Sequence, residues 1–190
     1  MPPADKSTLR AQLRQARRDL GVELRDQLAT QAAGLLQQLP GWQQARKVAV
    51  YMAADGELDP AAIAGRGRSE GKQLYLPVIQ PDSSLLFAPW HTCAQLLPNR
   101  YGIPEPQTTA EPAASLDILF MPLVGWDRSG ARLGMGGGYY DRSLQHAGAV
   151  LKVGLGFDVQ RADALPRDGW DIALDYIVTG ESLIRAGGEA

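Results

Sequence analysis

Five short runs of this chain are apolar almost from end to end, and no other feature limits its fold as strongly. They are Lys47–Ala53, Gln73–Ile79, Asp117–Val124, Val150–Phe157 and Asp175–Thr179. A strand with one wet face alternates apolar and polar residues, whereas a strand covered on both faces does not need to. Stretches of helical spacing separate the runs. Residues 7–20 place Leu9, Leu13, Ala16 and Leu20 along one face, with Ser7 or Thr8 as the cap, and a second helix is expected over 23–39, ending at Pro40-Gly41. Asp59-Pro60 opens a third helix to about Gly71, residues 139–147 form a fourth, and a short helix precedes the last strand. Buried strands alternating with helices predict one α/β domain over residues 1–190, with a mostly parallel sheet and helices on both faces in a Rossmann-like three-layer arrangement.

Residues 80–112 interrupt this rhythm. They are rich in Pro and polar residues, with one expected strand at Leu85–Phe87 and the rest read as irregular connection. Such a length is unusual for an idle loop in a compact domain, so the segment is expected to line a site or close over one.

Composition narrows the chemistry. The 190 residues include one cysteine, Cys93, and two histidines, His91 and His146. A single chain of this kind cannot build a disulfide framework, a structural zinc site or a thiolate-held iron–sulfur cluster. Any metal partner is then a hard ion on oxygen ligands. Cys93 reads as a structural thiol and both histidines as bystanders, since neither has an acid at meaningful spacing. The N-terminal residues Met1–Lys6 lack the apolar stretch of a secretory signal, and no 18-residue apolar run occurs. The expectation is a cytoplasmic monomer with no membrane partner.

The formal charge is −2, from 19 Lys and Arg against 21 Asp and Glu, yet Lys6, Arg10, Arg14, Arg17 and Arg18 fall within residues 6–18 with no acid among them. A stripe of that kind repels itself unless an anion compensates, and guanidinium forks suit phosphate oxygens. Nucleic acid would require a broader positive footprint than one helix on a net acidic chain. A nucleotide phosphate fits better.

The densest chemical signal is Arg132-Leu133-Gly134-Met135-Gly136-Gly137-Gly138-Tyr139-Tyr140-Asp141, with four glycines in five residues between a strand and a helix. Glycine removes the Cβ that would hold a ligand off the backbone, so successive N–H groups can converge on a phosphate. No Gly-Lys-Ser/Thr follows, which excludes a Walker A loop, and Tyr139 stands where the last glycine of a dinucleotide fingerprint belongs. Asp141, beside the loop, and Asp175, opening the last strand, are acids of the kind that hold magnesium near phosphate. Glu57 follows the first strand, where strand ends meet ligands, and Trp126 precedes the loop closely enough to touch a bound ring.

These motifs together resemble the 5-formyltetrahydrofolate cyclo-ligases. The resemblance rests on Lys6-Ser7-Thr8-Leu9-Arg10, Glu57, Tyr101-Gly102-Ile103-Pro104-Glu105-Pro106, and Pro122 through Asp127. It continues with Arg132-Leu133-Gly134, Gly138 through Arg142, Val153 through Asp158, Leu165-Pro166 and Asp171 through Thr179. The resemblance implies ATP-dependent cyclisation of 5-formyltetrahydrofolate to 5,10-methenyltetrahydrofolate, with release of ADP and phosphate and with Mg2+. It further implies ATP contacts from Lys6, Ser7, Thr8, Leu9 and Arg10 and from Arg132, Leu133, Gly134, Met135, Gly136, Gly137, Gly138, Tyr139 and Tyr140. Folate contacts would come from Met52, Glu57 and Met135 to Tyr139, magnesium ligands from Asp141 and Asp175, and the catalytic groups would be Arg132 and Tyr140. Some relatives carry a basic residue where this loop has Met135 or Gly137, which shifts phosphate binding here toward Arg132, Lys6 and Arg10. The competing reading is a non-catalytic sugar-phosphate or nucleotide sensor on a similar scaffold, since fold alone does not fix function.

Overall fold

The computed structural model describes residues 5–188. The chain begins with two helices, α1 (Lys6–Asp19) and α2 (Val22–Leu35), the latter tightening into a 3-10 turn at Leu36–Gln38. Next come β1 (Lys47–Ala49), α3 (Ala61–Ser69), β2 (Gln73–Ile79) and β3 (Leu85–Pro89), then a small pair, β4 (Leu96–Pro98) and β5 (Pro104–Pro106). The second half holds β6 (Ile118–Pro122), a two-residue hairpin of β7 (Gly125–Trp126) and β8 (Arg132–Leu133), and α4 (Tyr139–Leu144). β9 (Leu151–Leu155), β10 (Tyr176–Val178) and β11 (Leu183–Arg185) complete it.

Seven strands form one sheet in the order β11-β10-β9-β6-β1-β2-β3. The five inner strands are parallel, and β3 and β11 flank them antiparallel. Side chains alternate strictly between the two faces, as a pleated strand requires. Val48, Ile118, Phe120, Leu74 and Leu76 pack with Leu28, Ala32 and Leu36 of the α2 region and Ile63 of α3. Ala49, Leu119, Met121, Tyr75 and Ile177 pack on the other face with Leu144 of α4 and Ala147. Both faces are covered, which is why these strands show no polar alternation in sequence.

The expected three-layer α/β fold is therefore present, with differences at its margins. α1 starts at Lys6 and its N-cap is Asp5, with no side-chain capping bond from Ser7 or Thr8 to the helix. The strand expected to run to Ala53 pairs only to Ala49, since the chain then turns out to form a loop at the sheet edge. In the stretch from 80 to 112 the expected strand is present as β3, pinned to β2 from Tyr75–Pro89 to Ile79–Leu85, but the remainder is not all irregular, since it also holds the β4–β5 hairpin. No α-helix lies between β9 and β10, where only a 3-10 turn, Asp158–Gln160, occurs. Edge strand β11 and hairpin β7–β8 were not anticipated, being three and two residues long. Cys93 is exposed rather than structural. Trp126 is fully buried and donates its indole N–H to the Phe157 carbonyl at 3.1 Å, so it is a core residue and cannot meet a ligand.

α1 is set apart from the layers. Its apolar residues Leu9 and Leu13 pack on Val124, Ala131, Leu133 and Leu165, which belong to connections beyond the sheet. A Cβ at Gly125 would lie 2.4 Å from Leu13 Cδ1, so the small residue there lets the helix settle closely. Among the described residues no helix is long and apolar enough to cross a membrane.

Candidate active site

Strand order reverses at β1: the chain moves from β1 out to β2 and β3, then returns to place β6 on the opposite side of β1. Parallel sheets open a crevice at such a point, beyond the carboxyl ends of the two strands. The loop after β1 carries Tyr51, Met52, Asp55 and Glu57, and the connection after β6 carries the β7–β8 hairpin and the glycine loop.

Each glycine at the centre of that loop has a distinct reason. Gly136 (φ +98) and Gly138 (φ +65) occupy the left-handed region, and a Cβ on Gly137 would meet the Tyr139 ring at 2.4 Å. α4 is six residues long, shorter than 139–147, so its field adds little and the loop's own amides must do most of any anion binding. Arg10 reaches across from α1, donating Nε–H to the Gly134 carbonyl at 2.9 Å, with its guanidinium against Gly136. Among the described residues Arg10 has no carboxylate partner, so its charge is aimed at the loop.

The other bases of α1 are compensated from within the chain. Arg14 Nε at 2.8 Å, Arg17 Nη2 at 2.9 Å and Arg18 Nε at 2.7 Å all donate to the Asp55 carboxylate. Arg17 is fully buried and also donates to the carbonyls of Asp55, at 2.8 Å, and Leu123, at 3.1 Å. Burial works to raise the Asp55 pKa, but the bonds from Arg14 and Arg18 and the nearby guanidinium charges outweigh it and hold the carboxyl below its ordinary value. Lys6 pairs with Asp168 at 2.8 Å and Asp171 at 3.1 Å, and these partners keep its ammonium charged. The basic stripe thus needs no bound anion to be stable, except at Arg10.

Glu57, Tyr51 and Tyr140 share a recess next to the loop. Burial raises the Glu57 pKa, and the Asp55 charge adds to this; an Ala54 N–H bond at 3.1 Å and Arg17 offset part of it. Burial and the Glu57 charge push the Tyr140 phenol up, against Arg132, so the hydroxyl stays protonated. The Tyr51 phenol is raised for the same reasons and donates to the Leu58 carbonyl at 2.5 Å. A cavity of about 220 Å³, lined by Arg25, Ala54, Gly56 and Glu57 among others, opens beside this recess. Met52, on the same loop, is partly buried against the α2-side core.

Arg132 lies on β8 with its side chain 7% exposed and pairs with Asp141 at 2.7 Å, while its Nε has no hydrogen-bonding partner. Asp141 Oδ1 also accepts the Ile172 N–H at 3.1 Å. Asp175 sits just before β10, at the amino end of that strand, where its Oδ2 accepts Lys152 N–H at 2.7 Å and pairs with Lys152 Nζ at 2.9 Å. Among the described residues no group of three or more His, Cys, Asp or Glu is placed to hold a metal ion. No bond links Asp141 with Asp175, and each binds its own base. Asp141 stands beside the glycine loop, whereas Asp175 lies at the amino end of its strand, away from the carboxyl-end crevice, so the fold does not bring the two expected magnesium ligands together.

Of the sequence-derived set, Arg10, Gly134 through Tyr140, Arg132 and Glu57 gather at the switch point. Ser7 and Thr8 are exposed on the first turn of α1, Met135 is exposed on the loop, and Leu9 faces the small cluster under α1. Sequence reasoning placed Arg17 in a phosphate-facing stripe, whereas it is buried and paired with Asp55, a residue that looks like a plain turn acid in one dimension. Also missed were Arg100 and Tyr101 at the β4–β5 tip, whose side chains bond the Tyr139 hydroxyl at 2.7 and 2.5 Å. Tyr101 belongs to the Tyr101–Pro106 motif, but its contact with Tyr139 crosses 38 positions and no periodicity signals it.

A doubly wound sheet with a glycine loop, a buried guanidinium and a recessed carboxyl at its switch point is built like the α/β enzymes that act on bound small molecules at the carboxyl edge. The chain belongs to the 5-formyltetrahydrofolate cyclo-ligase family, whose profile matches residues 2–180. It is 40% identical over 174 residues to the 5-formyltetrahydrofolate cyclo-ligase of Escherichia coli, covering 88% of this chain and 96% of that one. The Haemophilus influenzae protein of the same name is 36% identical over 186 residues, covering 92% and 97%. The solution structure of the Aquifex aeolicus 5,10-methenyltetrahydrofolate synthetase superimposes with a TM-score of 0.85 at 33% identity, over 97% of this chain and 94% of that chain.

Proposed function

We propose that this chain cyclises 5-formyltetrahydrofolate to 5,10-methenyltetrahydrofolate at the expense of ATP, releasing ADP and phosphate. The observation that carries the reading is the juxtaposition of two unlike surfaces at one switch point. One is a polar loop of amides facing Arg10, and the other is a recess where Glu57 and Tyr140 are kept in low dielectric.

The triphosphate is assigned to the loop from Gly134 to Gly138, with Arg10, Arg132 and the first turn of α1 around it. The reduced folate is assigned to the recess bounded by Met52, Glu57 and Met135 to Tyr139. A formamide carbonyl is a weak electrophile, and its oxygen departs poorly as hydroxide. Transfer of the γ-phosphoryl group to that oxygen yields an iminium phosphate and ADP. Attack by N10 on the same carbon closes the ring, N10 loses its proton, and the C–O bond breaks to release phosphate and leave the methenyl bridge. Such a sequence needs alignment and charge stabilisation rather than a protein nucleophile, which agrees with the scarcity of Cys and His.

Arg132 and Tyr140 are the groups assigned to the reacting centre. The unpartnered Nε–H of Arg132 is a spare donor in a dry setting, available to a phosphoryl oxygen. The protonated Tyr140 hydroxyl can donate to the bridging oxygen as the C–O bond breaks and that oxygen gains charge in the departing phosphate. Asp141, beside the loop, is the acid that would hold magnesium, and the ion when bound neutralises charge on the nucleotide phosphates. Purified protein with ATP, magnesium and 5-formyltetrahydrofolate should give the rising absorbance of the methenyl product. No rise at high enzyme concentration, with nucleotide still bound, would replace this reading with that of a sensor.

A further inference from the structure

We propose that Asp55 is a positioning residue: its carboxylate and carbonyl tie α1 to the loop after β1, so that Arg10 on the nucleotide side is held in register with Glu57 on the folate side. This rests on the assignment of the glycine loop to ATP. Four observations carry it. Three guanidinium groups, from Arg14, Arg17 and Arg18, converge on one carboxylate. Arg17 continues the link to the third element of the site through the Leu123 carbonyl, just past β6. Asp55 adopts φ +53, a conformation in which Asp and Asn are the common non-glycine residues, and it lies only two positions from Glu57. Finally, the apolar seat of α1 is only the small cluster around Leu13, and its other ion pair, Lys6 with Asp168 and Asp171, lies at the far end of the helix, so the clamp on Asp55 fixes the half that follows Arg10.

The geometry makes α1 a rigid arm. Arg10 and Arg14 are one helical turn apart on the same face, as are Arg14 and Arg18. A clamp on Arg14, Arg17 and Arg18 therefore sets the rotation and height at which Arg10 meets Gly134 and Gly136. Nothing in α1 itself provides this, because the helix holds no acid between Lys6 and Arg18. An aspartate at the β1 edge does, and it does so from the same loop that presents Glu57.

Asp55→Asn keeps the shape and tolerates the backbone conformation while removing the charge. If Asp55 acts through Arg10, the variant should raise KM for ATP about tenfold, the usual effect of losing a charge-assisted bond, with kcat changed far less. The decisive measurement is a double-mutant cycle with Arg10→Ala, read as KM for ATP. The paired variant should be no worse than Arg10→Ala alone. Fully additive effects, or a lowered melting temperature with KM unchanged, would overturn the positioning role. Asp55→Glu should restore part of the ATP affinity. If Asp55→Asn does not fold, Arg14→Gln, which leaves the buried Arg17 paired, enters the same cycle. An Arg10→Ala variant with unaltered KM for ATP would instead discredit the loop assignment, so the two failures are told apart.

Discussion

At the scale of single residues, the site gathers groups whose environments disagree with their charges. Glu57 is the clearest, since burial favours its neutral form. A carboxyl whose folded pKa is raised contributes stability that is fully present below the unfolded pKa and is lost as pH rises through the folded value. Glu57→Gln cannot ionise and escapes that loss. The variant should melt at a higher temperature than the parent at neutral pH, and at the same temperature below the ordinary carboxylate range. Activity should fall, because the folate recess loses its acid. Thermal melts across pH, paired with the absorbance assay, test this; a variant that is equally destabilised at every pH would show that Glu57 is a structural group. The opposite sign at Asp55, whose pKa is depressed, means that two carboxyls two residues apart pull stability in opposite directions. A local strain of this sort at the meeting point of substrates is expected where activity competes with stability.

At the scale of elements, α1 differs from all the others in how it is held. α2, α3 and α4 cover the sheet, whereas α1 leans on the β7–β8 hairpin and on Leu165 through a few apolar contacts. Leu13→Ala should cost about 2–5 kcal/mol, and the loss should fall on α1 docking rather than on the sheet. Hydrogen exchange would then show the amides of residues 10–18 exchanging faster while those of β6 and β9 keep their protection. If both sets accelerate together, α1 is part of the cooperative core. The same difference explains what was readable in sequence. The inner strands were legible because burial on both faces writes itself as an unbroken apolar run, as in Ile118–Pro122. α1 was legible as a helix from Leu9, Leu13, Ala16 and Leu20, but its docking was not. The acids that neutralise it, Asp55, Asp168 and Asp171, are 37 or more positions away in sequence. The β4–β5 pair was missed because its three-residue strands include Pro98, Pro104 and Pro106, which read as loop.

At the scale of the whole molecule, the order in which contacts can form follows from this division. β1 pairs with β2 across a short α3 crossover, Lys47 beside Gln73, and with β6 across a much longer loop, Val48 beside Ile118. Closing the longer loop is the entropically harder step, and β6, β9 and β10 can then pair through their own crossovers. α1 comes first in the chain, yet its docking site does not exist until both halves are in place. Its clamp draws Asp55 from the first half and the Leu123 carbonyl from the second, and its apolar seat is made by the hairpin after β6. It should therefore be last to dock. Refolding from denaturant should therefore recover sheet signals, such as Trp42 and Trp126 fluorescence, before the enzyme regains nucleotide binding. The lag should lengthen in Leu13→Ala, which weakens docking without touching the sheet. Coincident recovery of fluorescence and nucleotide binding in both proteins would mean that α1 folds together with the sheet. The nucleotide side of the site would then be formed with the core, and not assembled upon it.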